Sequence, residues 1–259
     1  MELRSWALQI LEASTLELKL KSPSKLSDEK PGDPLFIDTP SRPPGMGFCK
    51  RTKKDKLPKI HELASEEKRA ICLHRFAGHE LLAVEMMAFA LLAFPLAPAT
   101  FRKGLAQTLK DEQLHVKLYC DQLERFGCKF GDMPLYKHFW VHTRFLHSPI
   151  NYVSTVSLTM EMANLDFAPR YGKAFESFQD KKSSALMARI LIDEIRHVNF
   201  GWRWLKKFKD SDISEWDAWK LTQSDLMSPK RSRGFILHEK YREKAGISQE
   251  WIENLKLLR

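Results

Sequence analysis

The sequence predicts an all-α protein built on an antiparallel four-helix bundle with one long crossover. Three observations predict it. Apolar residues recur at helical spacing through four long segments between residues 65 and 209. These segments pair across short connections, and a longer link joins the first pair to the second, as in bundles with a single crossover. The motif Asp-Glu-x-x-His stands once in the second segment of each pair, at residues 111–115 and 193–197. Residues 1–64 are then an N-terminal arm packed on the bundle, and residues 210–259 a C-terminal helical extension.

The elements follow in chain order. Residues 22–60 contain Pro31, Pro34, Pro40, Pro43 and Pro44 with Gly32, Gly45 and Gly47, which predicts an irregular, surface-wrapping arm. Ser65 is placed to cap the first long helix, with Glu66 and Glu67 in its first turn and Phe76, Leu81, Val84, Ala88 and Leu91 on one face before Pro95. Thr100 is placed to cap a second helix that runs to about Phe126 and stops at Gly127. The aromatic-rich link from Gly131 to His147 is expected to include a short helix. Ser148-Pro149 opens the third helix, expected to end near Tyr171-Gly172, and the fourth runs from near Ser183 to Phe208. Ser214–Met227 and Ser248–Leu258 read as peripheral helices.

Composition narrows the class. A hydrophobic content of 43% and an aromatic content of 11% suit a packed interior. The most apolar run, Met86 to Ala99, is interrupted by Pro95 and Pro98 and reads as a buried helix end, short of the ~20 residues that span a bilayer. The opening Met1-Glu2-Leu3-Arg4-Ser5-Trp6 lacks the basic-then-apolar order of an export signal, so a cytoplasmic protein away from membranes is expected. Cys49, Cys72, Cys120 and Cys128 form no CxxC pair and are expected to be free thiols. The formal charge is +9, with basic residues gathered at Lys50, Arg51, Lys53, Lys54, Lys56 and Lys59 and again at Lys230, Arg231 and Arg233. Such an excess suits a nucleic acid or another polyanion as partner, and equally an ordinary solvated surface.

The chemistry is carried by the repeated motif. A glutamate and a histidine three residues apart lie on one helical face, so Glu112 with His115, and Glu194 with His197, can each approach one metal ion. One further carboxylate per half is needed, and it is present: Glu80 precedes Glu112 by 32 residues and Glu161 precedes Glu194 by 33. Glu80-Leu81-Leu82-Ala83-Val84-Glu85 also parallels Glu161-Met162-Ala163-Asn164-Leu165-Asp166, so the two hairpins read as an internal repeat. Four carboxylates and two imidazoles nearly neutralise two divalent ions, and burying those acids alone would be very costly. Glu80, Glu112, His115, Glu161, Glu194 and His197 are thus the expected ligands. Glu85, only 27 residues before Glu112, is the rival to Glu80 and is rejected on spacing.

Neighbouring residues admit two readings each. Asp111 and Asp193 precede the ligand glutamates, either as acceptors for the free ring N–H of a ligand histidine or as solvent-facing acids. Tyr119, one turn after His115, is a candidate redox-active side chain or a core tyrosine. His79, about 100° around the helix from Glu80, suits packing more than ligation. Trp202 and Trp204 read as core.

The E…ExxH…E…ExxH pattern, over about residues 66–208, resembles the ferritin-like superfamily of di-iron carboxylate proteins, among them bacterioferritins, rubrerythrins, ribonucleotide reductase small subunits, acyl desaturases and a tRNA hydroxylase. Within it, His79 to Glu85, Ala93-Phe94-Pro95, Asp111 to His115 and Phe130-Gly131-Asp132 are similar to a bacterial ferritin-like family with no assigned activity. The chain has no CxxC…CxxC rubredoxin module, and its long ends do not suit a storage cage. Tyr119 stands at the spacing of the radical tyrosine in the reductase subunits.

The resemblance implies a ferritin-like bundle holding two iron ions, with manganese the other metal to test. It implies an O₂-activating oxidoreductase of the hydroxylase type, needing an electron donor and a substrate near Tyr119, Trp140 or the first helix, covered by the chain's two ends. RNA is one substrate class that the tRNA hydroxylase suggests, and a dimer is an expected assembly. The alternative is an iron-binding, ferroxidase or protective protein without an organic substrate.

Overall fold

The computed structural model describes every residue except 53, 54 and 259, and the described chain is all-helical, with no strand. It divides into two compact units, Met1–Thr143 and Arg144–Arg259. Lys53 and Lys54 of the first basic cluster lie outside the described residues.

The first unit begins with α1 (Leu3–Glu12) and α2 (Leu16–Lys19), two helices that the arm was not expected to contain. Helix α1 buries Leu3, Trp6, Ala7, Ile10 and Leu11 along one side and packs on the first long helix, α3 (Glu66–Ala93). Its pattern is helical, but at ten residues it is too short to be secure without that packing. Helix α3 starts at Ser65, whose backbone is extended but whose hydroxyl makes no capping hydrogen bond. It is the one described helix long and apolar enough to cross a membrane, and most of that length is buried within the chain.

A short connection leads to α4 (Ala99–Glu124), which packs along α3 as an antiparallel hairpin. Pro98, not Thr100, occupies the position before its first turn, so Thr100 lies inside the helix. Gly127 follows with a positive φ of 64°, as expected of a helix stop. Arg102 locks the connection: its guanidinium donates to the carbonyls of Leu91 and Phe94 at 2.7 and 3.0 Å and pairs with Asp28 of the arm at 2.9 Å. The link after α4 contains a 3-10 turn at Trp140–Phe145, and Trp140 packs edge-on against Phe89 while donating to the Asp38 carbonyl at 2.8 Å.

His74 joins this link to α3. It is fully buried, and its Nε2 accepts the Gly131 N–H at 3.0 Å. Burial, with Arg75 adding to it, pushes its pKa down from 6.5 to about 4. The unfolded chain therefore takes up a proton on this residue in a range where the folded chain refuses it. Stability should be full above pH 6.5 and fall as pH drops toward about 4, by at most about 3 kcal/mol. Urea unfolding of the wild type and of His74→Gln between pH 7 and 4 checks this; equal slopes in both would refute it.

The second unit holds one continuous helix made of α5 (Pro149–Tyr152), a π-helical segment (Val153–Glu161) and α6 (Met162–Ser177). It runs past Gly172, where a stop was expected. Gly172 instead gives close packing, since a Cβ there would sit 3.4 Å from Cβ of Met187 on α7 (Lys181–Phe208). The chain turns at Gln179, with φ of 63°, and Asp180 caps α7 by accepting from the Ser183 N–H at 3.2 Å and its hydroxyl at 2.7 Å. Helices α6 and α7 form the second hairpin.

Beyond it come α8 (Glu215–Thr222), α9 (Glu239–Lys244) and α10 (Gln249–Leu257), with Ser214 and Ser248 capping α8 and α10, and α8 stops at Thr222, short of the expected Met227. Among them, Trp251 meets Trp202 of α7 and Trp219 of α8 at centroid separations of 5.0 Å each. Gly201 of α7 is where the π-helical segment comes closest: a Cβ there would lie 2.4 Å from Cβ of Ser157. Gly201→Ala, which would favour an isolated helix, is expected to destabilise the chain by about 1–3 kcal/mol. Thermal unfolding with no loss of stability would count against this packing.

Candidate metal centre

Each unit gathers three of the six expected ligands. In the first, Glu80 comes from the middle of α3 and Glu112 and His115 from the middle of α4, all at 7% exposure or less. Each offers a donor atom, and these atoms lie within 4.8 Å of one another. Nδ1 of His115 is 3.2 Å from Oε2 of Glu112, an approach that the three-residue spacing on one helix face allows.

The second unit repeats the pattern. Glu161 ends the π-helical segment, Glu194 and His197 come from α7, and all three are at 4% exposure or less. Glu161 and His197 offer donor atoms within 4.8 Å of each other, and Nδ1 of His197 lies 3.6 Å from Oε2 of Glu194. The other oxygen of Glu194 accepts from Nδ2 of Asn164 at 2.7 Å. Asn164, one turn after Glu161, was not among the expected site residues. A lone amide in the otherwise apolar Met162-Ala163-Asn164-Leu165 run was its only signal.

The donor chemistry suits a metal ion. Ligands of one ion at about 2.0–2.2 Å must converge to roughly 3 Å from each other, and carboxylates and imidazoles within 4.8 Å are one side-chain adjustment from doing so. Carboxylate oxygens and imidazole nitrogens are also the donor types that iron and manganese accept.

Glu85, the rival to Glu80, has a different role. It is fully buried and paired with Lys19 at 3.0 Å and with Arg42, both from the arm. Lys19 also donates to the Ile10 carbonyl, and burial lowers its pKa against the pull of Glu85. In the repeat, Asp166 stands where Glu85 does. It too is buried and neutralised, by Arg242 in a two-pronged contact at 2.8 Å, with the N–H groups of Gly234 and His238 adding 2.8 and 2.7 Å bonds. In both halves, then, the carboxylate five residues after the candidate ligand anchors a terminal segment.

The remaining candidates are placed as follows. Asp111 is half-buried and accepts from Gln107 at 3.1 Å, while Asp193 is fully buried and pairs with Arg189 at 3.2 Å and with Arg196. Tyr119 is buried one turn beyond His115, its ring 5.9 Å from that of Phe76. His79 is half-buried in an aromatic group with His138 and Phe139 at 4.9 and 5.1 Å. Trp204 stacks on Phe208. In the second basic cluster, Lys230 and Arg231 are exposed, but Arg233 is spent on the carbonyls of Leu255 and Lys256 at 2.8 and 3.2 Å. The middle residue of the first motif, Gln113, holds the arm by donating to the Lys19 carbonyl at 2.6 Å.

Residues 6–253 match a family described as "Protein of unknown function (DUF455)". No curated protein and no solved structure matches the chain.

Proposed function

From the premise that the chain belongs to the DUF455 family, whose description assigns no activity, we propose that it is a di-metal oxidoreductase. Glu80, Glu112 and His115 from one hairpin and Glu161, Glu194 and His197 from the other would hold two iron ions, with manganese the second metal to test. In this reading the hairpins form a ferritin-like four-helix bundle. Reduced iron bound there would supply O₂ activation, and the reaction class is hydroxylation of an organic substrate.

One observation carries the proposal: in each hairpin a buried lone glutamate offers a donor atom within 4.8 Å of the histidine of a buried Glu-x-x-His pair. A structural use of buried acids pairs them with cations, as this chain does at Glu85 and Asp166. Glu112 and Glu194 lie against histidines on their own helices, with Nδ1 to Oε2 at 3.2 and 3.6 Å. The protein's own contribution is to fix these imidazoles and carboxylates and to keep water from them by burial. Tyr119, one turn from His115, is the candidate side chain for electron or proton transfer.

The test is metal analysis with anaerobic iron(II) titration followed by O₂. Two retained ions per chain, with O₂ consumed only while reductant is supplied, is the expected result. Iron accumulating well beyond two per chain would replace this reading with ferroxidase or storage action. Absence of metal in the wild type, or full occupancy after Glu112→Ala combined with Glu194→Ala, would sink the site.

A further inference from the structure

The π-helical segment Val153–Glu161 ends on a candidate ligand, and the C-terminal extension holds its unusual winding in place. In a π turn the backbone bonds run one residue further than in an α-helix, so the winding is uncommon and needs outside support. Here that support converges on Thr159, fully buried two residues before Glu161. Its hydroxyl donates to the Ser154 carbonyl at 2.7 Å and accepts from Nε1 of Trp219 at 3.0 Å and Nε2 of Gln223 at 2.9 Å. Trp219 reaches the same Ser154 carbonyl at 3.2 Å, and the Ser224 N–H donates to Thr155 Oγ1 at 3.0 Å. On the opposite side the bare Gly201 of α7 leaves the room that the wide turn needs.

We infer that Thr159, held by Trp219 and Gln223 of the C-terminal extension, is a positioning residue for Glu161: it keeps the segment π-wound and so aims the Glu161 carboxylate at His197. This rests on the two-metal reading above. It gives the extension a task other than covering a substrate. Without the hydroxyl, the Ser154 carbonyl loses one donor, and the indole and amide lose a shared acceptor in a buried place. Relaxation toward α winding changes the rotation per residue, which carries Glu161 around the helix axis away from His197.

The experiment compares wild type, Thr159→Val, which keeps the branched shape, and Thr159→Ser, which keeps the hydroxyl. Manganese(II) titration with metal analysis should show one of two ions bound about tenfold or more weakly in Thr159→Val, the scale typical for groups that orient ligands, and rescue in Thr159→Ser. Wild-type affinity for both ions in Thr159→Val, or equal impairment of the two variants, overturns the inference. Amide hydrogen exchange on the metal-free chains separates this result from failure of the metal reading. A wild type that takes no ion refutes the metal reading alone, and Thr159→Val must then still raise exchange across 153–161 at least tenfold relative to α6. Unchanged exchange there overturns the clamp whatever the metal does.

Discussion

Glu112→Gln should stabilise the metal-free protein while abolishing its response to metal. Glu112 is 1% exposed and lies among Glu80 and His115, so the metal-free site keeps two acids close together with little water. Replacing one carboxylate by an amide of nearly the same size removes that repulsion and the cost of burying a charge. The wild type should gain the opposite way. Ligand that binds only the folded state adds about 2.7 kcal/mol at a free concentration one hundred times Kd. Melting curves of both proteins, with chelator and with manganese(II), should therefore cross: the variant higher without metal, the wild type higher with it. A metal-free variant clearly less stable than wild type would mean that the Glu112 carboxylate is a structural partner and no ligand.

Arg242→Leu should cost about 3–5 kcal/mol, because it strips the cation from a carboxylate that is 2% exposed. The backbone N–H groups of Gly234 and His238 remain, as does the His238 ring 3.3 Å from the carboxylate, but none of them is a permanent cation. The second substitution Asp166→Asn, added to Arg242→Leu, removes the stranded charge and should recover most of the loss. Urea denaturation of the two single variants and the double variant gives the coupling directly. A double variant as unstable as Arg242→Leu would show that the contact matters through packing alone.

The hairpins and the approach of each Glu-x-x-His glutamate to its histidine were legible in the sequence because both depend on local spacing. Apolar periodicity placed α3, α4 and α7 within a few residues of their observed bounds, and a three-residue interval brings Glu112 to His115 and Glu194 to His197 without knowledge of any other segment. Helix ends were less legible. Gly172 reads as a stop but serves packing against Met187, and Thr100 reads as a cap but lies within α4. A glycine or threonine has the same local preferences in either role, and only the neighbouring helix decides which one is used.

Spacing also separated Glu80 from Glu85, but not the use made of Glu85. That required Lys19 and Arg42, from 66 and 43 positions away, and the parallel use of Asp166 required Arg242, 76 positions away. The π winding before Glu161 belongs to the same class: the run Val153-Ser154-Thr155-Val156-Ser157 announces poor α-helix formers, but Trp219, Gln223 and Gly201 determine what the backbone does instead. The sequence by itself determined an all-helical chain with two repeated Glu and Glu-x-x-His patterns, because periodicity and short spacing are properties of a single helix. Only the tertiary structure decided that the two terminal segments clasp the carboxylates beyond Glu80 and Glu161, because buried charge is tolerated only where a distant partner arrives to neutralise it.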